Sequence, residues 1–209
     1  MKEDFAPVLH PVEIAALRPT QITVGLREVA RKRVNWRTRA ERDGPDFLGQ
    51  HMIPVVIGPK SVPYIIDHHH LARALHDEGV SQVLVSVVAE LDHLKKPQFW
   101  TFMDNRNWLH PFDAAGIRQS HADLPRHVHG MADDPYRSLA GELRRSGGYA
   151  KDQTPYSEFL WADFLRRRIR AKLVANDFER AVAKALELAR RHEASYLPGW
   201  CGQSDDTNR

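Results

Sequence analysis

The chain has 209 residues, of which 42% are hydrophobic and 27% charged; this is the balance of a folded globular protein and excludes wholesale disorder. The 30 Lys and Arg against 27 Asp and Glu leave a net charge of only +3, so bulk charge does not demand a nucleic-acid partner, and phosphate binding would need a local basic patch. The lone Cys201 rules out an intrachain disulfide framework. No run approaches the roughly 18 apolar residues of a membrane helix, and MKEDFAPVLHPVEI has no apolar stretch of the secretory kind, so a bacterial cytoplasmic location without a membrane partner is expected.

Taken in order, HPVEIAAL at 10–17 is a short apolar-polar stretch that ends at Arg18-Pro19-Thr20, where the proline disfavours helix at Arg18. A short strand or turn is expected there. Residues 24–34, VGLREVARKRV, have mostly helical apolar spacing and predict a helix with a basic outer face. Arg37 to Gln50 is charged and carries Gly44-Pro45, a loop signal. MIPVVIG and VPYIID then predict two strands joined through Gly58-Pro59-Lys60-Ser61 as a hairpin. Residues 68–78 predict a helix with Asp67 as N-cap and Gly79 as stop. SQVLVSVVAEL alternates, is rich in valine and predicts a third strand.

After Leu94 the character changes. KKPQFWTFMDNRNWLHPFDAAG mixes aromatics, prolines and polar residues. The rest of the chain is mainly helical, over about Pro135–Ser146, Pro155–Val174 and Asp177–Ala194. Thr154-Pro155 is expected to cap the second of these. There is no internal repeat, and the tail after Pro198 is polar. The expected fold is α+β: a small mixed sheet within residues 1–95, a helical region over 96–198 packed on it, and a tail at 199–209.

The stretch PYIIDHHHLARAL at 63–75 carries the clearest functional signal. At about 100° per residue, Leu71, Ala74, Leu75 and Glu78 share the core side, His68 lies at its edge, and His69 shares a polar side with Arg73 and His76. Consecutive histidines diverge on a helix. A two-histidine helical metal site needs spacing i,i+4, where Ala72 and Arg73 stand, so zinc would need further ligands such as His93 or His110. Phosphate suits the stretch better, because a helix N-terminus offers amides and a favourable dipole to an anion. His69 and His70 can donate there or move protons near neutral pH. The bland alternative is a polar cap with no ligand.

EIAALRPTQ, a helix, IPVVIG and then YIIDHHHLARAL together resemble the ParB/sulfiredoxin superfamily over about residues 8–95. Asp67 matches the aspartate of a signature close to D-G-H-x-R. His68 stands where glycine is usual, His69 and His70 match the histidine pair of the D-G-H-H-R variant, and Ala74 matches the small residue. Leu71 replaces the expected arginine, for which Arg73 is a displaced substitute. DDPYRSLAGELRRSGGYAK and PYSEFLWADFLRRRI resemble the separate branch of ParB-like nucleases, which extends the resemblance over most of the chain.

Sulfiredoxins place a catalytic cysteine in the signature, and this chain has none there. Partitioning ParB proteins bind CTP and carry a helix-turn-helix behind the motif, for which the second half shows no tight-turn candidate. Free-serine kinases of the superfamily hold nucleotide phosphates with a D-G-H-H-R-like motif and use a glutamate of the preceding helix as base. Glu28 is the corresponding candidate here.

Further candidates are Asp92 and His93 after the third strand, and Asp104, Arg106, His110 and Asp113 among Phe99, Trp100 and Trp108, where aromatics could stack on a base and Arg106 hold a phosphate. His121, His127 and His129, Arg144-Arg145 and the run RRRIR at 166–170 complete the set, each with a structural alternative.

The expected activity is that of a ParB-like nuclease-family protein handling a phosphate-bearing nucleotide or nucleic acid. Asp67, His69, His70 and Glu28 form the catalytic set, and His68, Arg73, Arg106 and His110 contact the ligand. Magnesium carried with a nucleotide is the candidate cofactor, and no resident metal set is assigned. The alternatives are a nucleotide-dependent small-molecule kinase and a non-catalytic nucleic-acid-binding module. Cys201 is expected to be dispensable.

Overall fold

The computed structural model describes residues 10–43 and 52–202. The chain packs into two compact units, one of Met1–Val24 and Val29–Ala132, the other of Gly25–Glu28 and Asp133–Arg209. Residues 96–132, grouped with the helical region on sequence, pack with the first unit.

The first unit is built on five strands: β1 (His10–Glu13), β2 (Arg18–Pro19), β4 (Ile53–Gly58), β5 (Val62–Ile65) and β6 (Gln82–Glu90), in the order β1-β6-β4-β5-β2. A further short strand, β3 (Thr23–Val24), lies outside this sheet. β4 runs parallel to β6 and antiparallel to β5, while β2 is parallel to β5 and β1 antiparallel to β6. The sheet is therefore mixed, and the fold α+β, as the sequence implies. The β4–β5 hairpin turns where Lys60 and Ser61 adopt positive φ. A Cβ on Gly58 would lie 2.6–2.8 Å from the rings of Tyr64 and Phe99, so only glycine fits that approach.

Helix α2 (His69–Asp77) covers one face of this sheet. Its Leu71, Ala72, Ala74 and Leu75 are buried with Ile53, Val55, Ile65, Val83 and Val85. Gly79, at φ +75°, ends it, with the Val80 N–H returning to Leu75 O. Helix α3 (Lys96–Asn105) covers the other face, burying Phe99 and Met103 with Val56 and Leu109. Neighbouring Val55 and Val56 thus enter opposite cores, as the two-residue period of a strand dictates. The mixed composition after Leu94 does not predict a helix, yet α3 forms there. Pro97 sits in its first turn, and Phe99 and Met103 recur at four-residue spacing on one face.

Helix α1 (Leu26–Asp43) is longer than expected and takes in the charged residues up to Asp43. The expected Gly44-Pro45 loop lies outside the described residues. Val29 is buried in the first core and Trp36 packs against it, while Arg33 and Arg37 both donate to Glu78 at the end of α2.

The second unit holds α4 (Pro135–Arg145), α5 (Ser157–Arg166), α6 (Ala171–Asn176) and α7 (Phe178–Ala189). Leu139, Leu143, Trp161, Phe164 and Leu165 form its core, with Tyr149 stacked on Trp161 at 4.4 Å. The expected helix over 155–174 is two helices. Arg168 and Ile169 both donate to Leu165 O, which tightens the last turn of α5. Thr154 does not cap α5; the N-cap is Tyr156 in left-handed conformation. Gly25 meets α4 so closely that a Cβ would lie 2.6 Å from Ser138 Oγ. Among the described residues no helix is long and apolar enough to cross a membrane.

Candidate functional site

β5 leads through Ile66 and Asp67 into α2. The N-cap is His68, not Asp67, and it adopts a left-handed conformation at φ 63° and ψ 24°. This explains the glycine at the equivalent signature position, since left-handed backbone favours glycine. Asp67 sits one residue earlier, and its Oδ1 accepts the His68 N–H at 2.6 Å. The His68 ring lies 3.0 Å from Met52 O through Nδ1. The first intrahelical bond runs from Ala72 N–H to His68 O, so the amides of the first turn precede the helix's own ladder.

The three histidines have different surroundings. His68 is exposed and His70 half-buried, whereas His69 is 2% exposed. The polar side expected for His69 is therefore a buried one. His69 Nε2 accepts the Thr20 backbone N–H at 3.1 Å, which fixes the ring as the neutral tautomer protonated at Nδ1. Thr20 Oγ1 lies 3.4 Å from the same nitrogen and donates to Ile65 O at 2.7 Å. Thr20 O in turn accepts the His110 N–H at 2.9 Å. Thr20, Gln21 and Thr23 are all buried.

Thr20 is thus the junction at which the signature helix and the segment of His110 meet. Sequence reasoning keeps these two candidates apart and does not single out Thr20. The available signal is the polar run Thr20-Gln21 directly after a strand, where burial demands hydrogen-bond partners.

The remaining candidates of the first unit hold mostly structural partners. Arg73 donates to Asp77 and to Met131 O, at 3.0 and 2.9 Å. Arg106 is exposed, with its guanidinium 5.0 Å from the Trp108 ring centre. The His110 ring stacks on Phe112 at 4.4 Å. Asp104 pairs with Arg118, and Asp113 accepts the Ala115 and Ile117 amides and the Gln119 side chain, so both organise their own loop. Asp92 and His93 are half or more exposed in the turn after β6.

His76, His129 and His127 form a stack with ring centres 5.2 and 5.3 Å apart, and Arg18 Nη1 lies 3.3 Å from His127 Nδ1. The rings of His127 and His129 are within 5° of parallel, so their in-plane lone pairs do not converge on an ion. Among the described residues no group of three or more His, Cys, Asp or Glu is arranged to hold a metal.

Glu28 belongs to the second unit, where its carboxylate accepts from Arg145. Arg144 pairs with Glu158 and Arg145 also with Glu142, so the Arg144-Arg145 pair is matched by carboxylates. In the run at 166–170, Arg166 pairs with Asp134 and Asp163, Arg167 with Asp163, and Arg168 lies over Phe164. Burial pushes the Asp134 carboxyl up, and Arg166 opposes that shift. Cys201 is exposed.

A family model described as "Putative ParB-like nuclease" matches residues 10–167. No curated protein matches the sequence. The crystal structure of protein Atu1540 from Agrobacterium tumefaciens superposes with a TM-score of 0.88 at 52% identity, covering 95% of this chain and 100% of that one. The matched span holds the five-stranded sheet, the Asp67–His70 junction and helices α1 to α5, and on this ground the chain belongs to the ParB-like nuclease family.

Proposed function

We propose that this protein handles a phosphate-bearing ligand, nucleotide or nucleic acid, at the junction of β5 and α2. The observation that carries the reading is the division of labour within Asp67–His70. His69 is buried against Thr20 and serves as the pin. The pin sets the first turn of α2, where exposed His68 and half-buried His70 flank the helix amides. A phosphate there gains the dipole and the amides, with imidazole donors beside it. His70 is the group suited to move a proton at that ligand. Asp67 holds the left-handed turn through the His68 N–H and supplies a second acceptor oxygen to a ligand hydroxyl.

The His110 backbone N–H is tied to Thr20 O, and on this reading the His110 imidazole and Arg106, from the same segment, reach the ligand. Arg73 acts on the ligand only if it leaves Asp77 and Met131 O. Magnesium enters this reading as the counterion of a bound nucleotide.

A binding-only module is favoured by one observation. The Glu28 carboxylate, the candidate base of a kinase-type reaction, already accepts from Arg145. Kinase chemistry would require Arg145 to release it. The test is a thermal-shift screen of nucleoside triphosphates and short oligonucleotides with and without magnesium, because a ligand that binds the folded state raises its apparent stability. A concentration-dependent rise in Tm with at least one phosphate ligand is expected. A flat response to all of them removes the reading.

A further inference from the structure

Gln21 is buried, with 9% of its surface exposed. Among the described residues its side-chain amide makes no hydrogen bond, whereas the amides of Gln82, Gln98 and Gln119 each have a partner. Burying an amide without a partner costs stability, so such a group calls for an explanation. Nor is the amide sealed off in the way that the unpartnered nitrogens of Arg137 and Trp200 are. A group arriving from solvent can therefore reach it.

The backbone around Gln21 belongs to the candidate site. β2 runs parallel to β5, with Pro19 beside Ile65 as the last pair. Two residues further along each chain stand Gln21 and Asp67. The Thr20 hydroxyl still reaches Ile65 O at 2.7 Å, so the chains stay adjacent past that pair. Gln21 directly follows Thr20, whose N–H holds His69, and its own backbone pairs with His110. We propose that Gln21 is the specificity-determining residue of the Asp67–His70 site, its amide taking a free hydroxyl of the ligand beside the phosphate. The proposal rests on the phosphate reading above and narrows the ligand to a hydroxyl-bearing phosphate ester. An uncharged amide holds two donors and a carbonyl acceptor, so it can pair with a hydroxyl in either sense. The phosphate charge is left to the helix terminus and the imidazoles. A ligand that covers the amide and offers it no partner strands it, and that cost is the basis of the discrimination.

The experiment is an NMR-detected titration of the full chain with glycerol phosphate, with propyl phosphate, which has the same skeleton without hydroxyls, and with inorganic phosphate. Wild type should bind glycerol phosphate about three- to tenfold more tightly than propyl phosphate, the worth of one neutral hydrogen bond. In Gln21→Met, which keeps the length of the side chain and removes the amide, that ratio should fall to about one. Gln21→Asn draws the amide back by one methylene and should lose the preference as well. Circular dichroism checks the fold of each variant, and Gln21→Asn carries the comparison if Gln21→Met does not fold.

Equal affinity of wild type for glycerol phosphate and propyl phosphate overturns the proposal, and so does a preference that persists in a folded Gln21 variant. Both results leave the phosphate reading standing, provided that His70→Ala weakens all three probes together. That reading fails by a different result, in which wild type binds none of the three or His70→Ala binds them as wild type does, and the Gln21 proposal then falls with it.

Discussion

His69 Nε2 accepts the backbone N–H of Thr20 at 3.1 Å, with both residues buried. One side chain thereby ties the first turn of α2 to a segment 49 positions earlier. His69→Ala leaves a buried amide without its partner and a cavity beside it. We expect a loss of about 2 to 3 kcal/mol in denaturant unfolding. His70→Ala, at a half-buried position, should change stability by about 0.5 kcal/mol or less. Equal costs at the two positions would show that His69 is not the pin.

The left-handed His68 makes a second pair of variants informative. A non-glycine residue there carries a strain of about 1–2 kcal/mol, part of which Met52 O offsets by contact with the ring. His68→Gly should hold or raise Tm, and His68→Val should lower it, since a β-branched residue resists positive φ. A stabilised valine variant would contradict the backbone assignment.

Those two histidines also mark where the sequence is legible and where it is not. The apolar run IPVVIG and the alternation of SQVLVSVVAEL identify β4 and β6, because burial imposes the pattern directly. Gly79 identifies the end of α2 for the same local reason. The helical wheel, however, sets His69 beside Arg73 and His76 on a polar side. Its burial depends on Thr20, a long-range partner that no local period encodes. The break of the 155–174 helix is similarly hidden, since Phe164, Leu165, Ile169 and Leu173 keep apolar spacing across it while Leu165 O takes two amides. Candidate residues that hold structural ion pairs, such as Asp104 and Arg145, look the same in sequence as residues that would hold a ligand.

Acid sensitivity should trace to Glu78. Hydrogen bonds from Arg37 and then Arg33 hold its carboxyl at about 2, against an ordinary 4.5. A depressed carboxylate stabilises the fold fully above its unfolded value. That stabilisation is lost as pH falls from about 4.5 towards 2. The contribution is moderated by solvent screening, since Arg37 is 58% exposed. Glu78→Gln should flatten the stability curve over that window and leave its shape above pH 5 unchanged. Unaltered acid unfolding in the variant would place the sensitivity elsewhere.

In the second unit, Gly25→Ala should lower stability by about 1–3 kcal/mol, the range of overpacking, because the new methyl meets Ser138 Oγ at 2.6 Å and its backbone N at 2.7 Å. Pairing it with Ser138→Gly removes the hydroxyl clash and should recover part of the deficit. No recovery would mean that the backbone clash dominates. Cys201→Ser, by contrast, should keep full stability and ligand response, because the thiol is exposed.

Phosphate binding at Asp67–His70 and simple helix capping differ in affinity per folded molecule. Isothermal titration of wild type and His70→Ala with the best phosphate ligand from the thermal screen separates binding from stability, with unfolding midpoints measured in parallel. With phosphate bound there, His70→Ala loses at least tenfold in affinity, about 1.4 kcal/mol, at an unchanged midpoint. Unchanged affinity in a fully folded His70→Ala protein would rule out phosphate binding at this junction and leave the triplet as a cap and a buried pin.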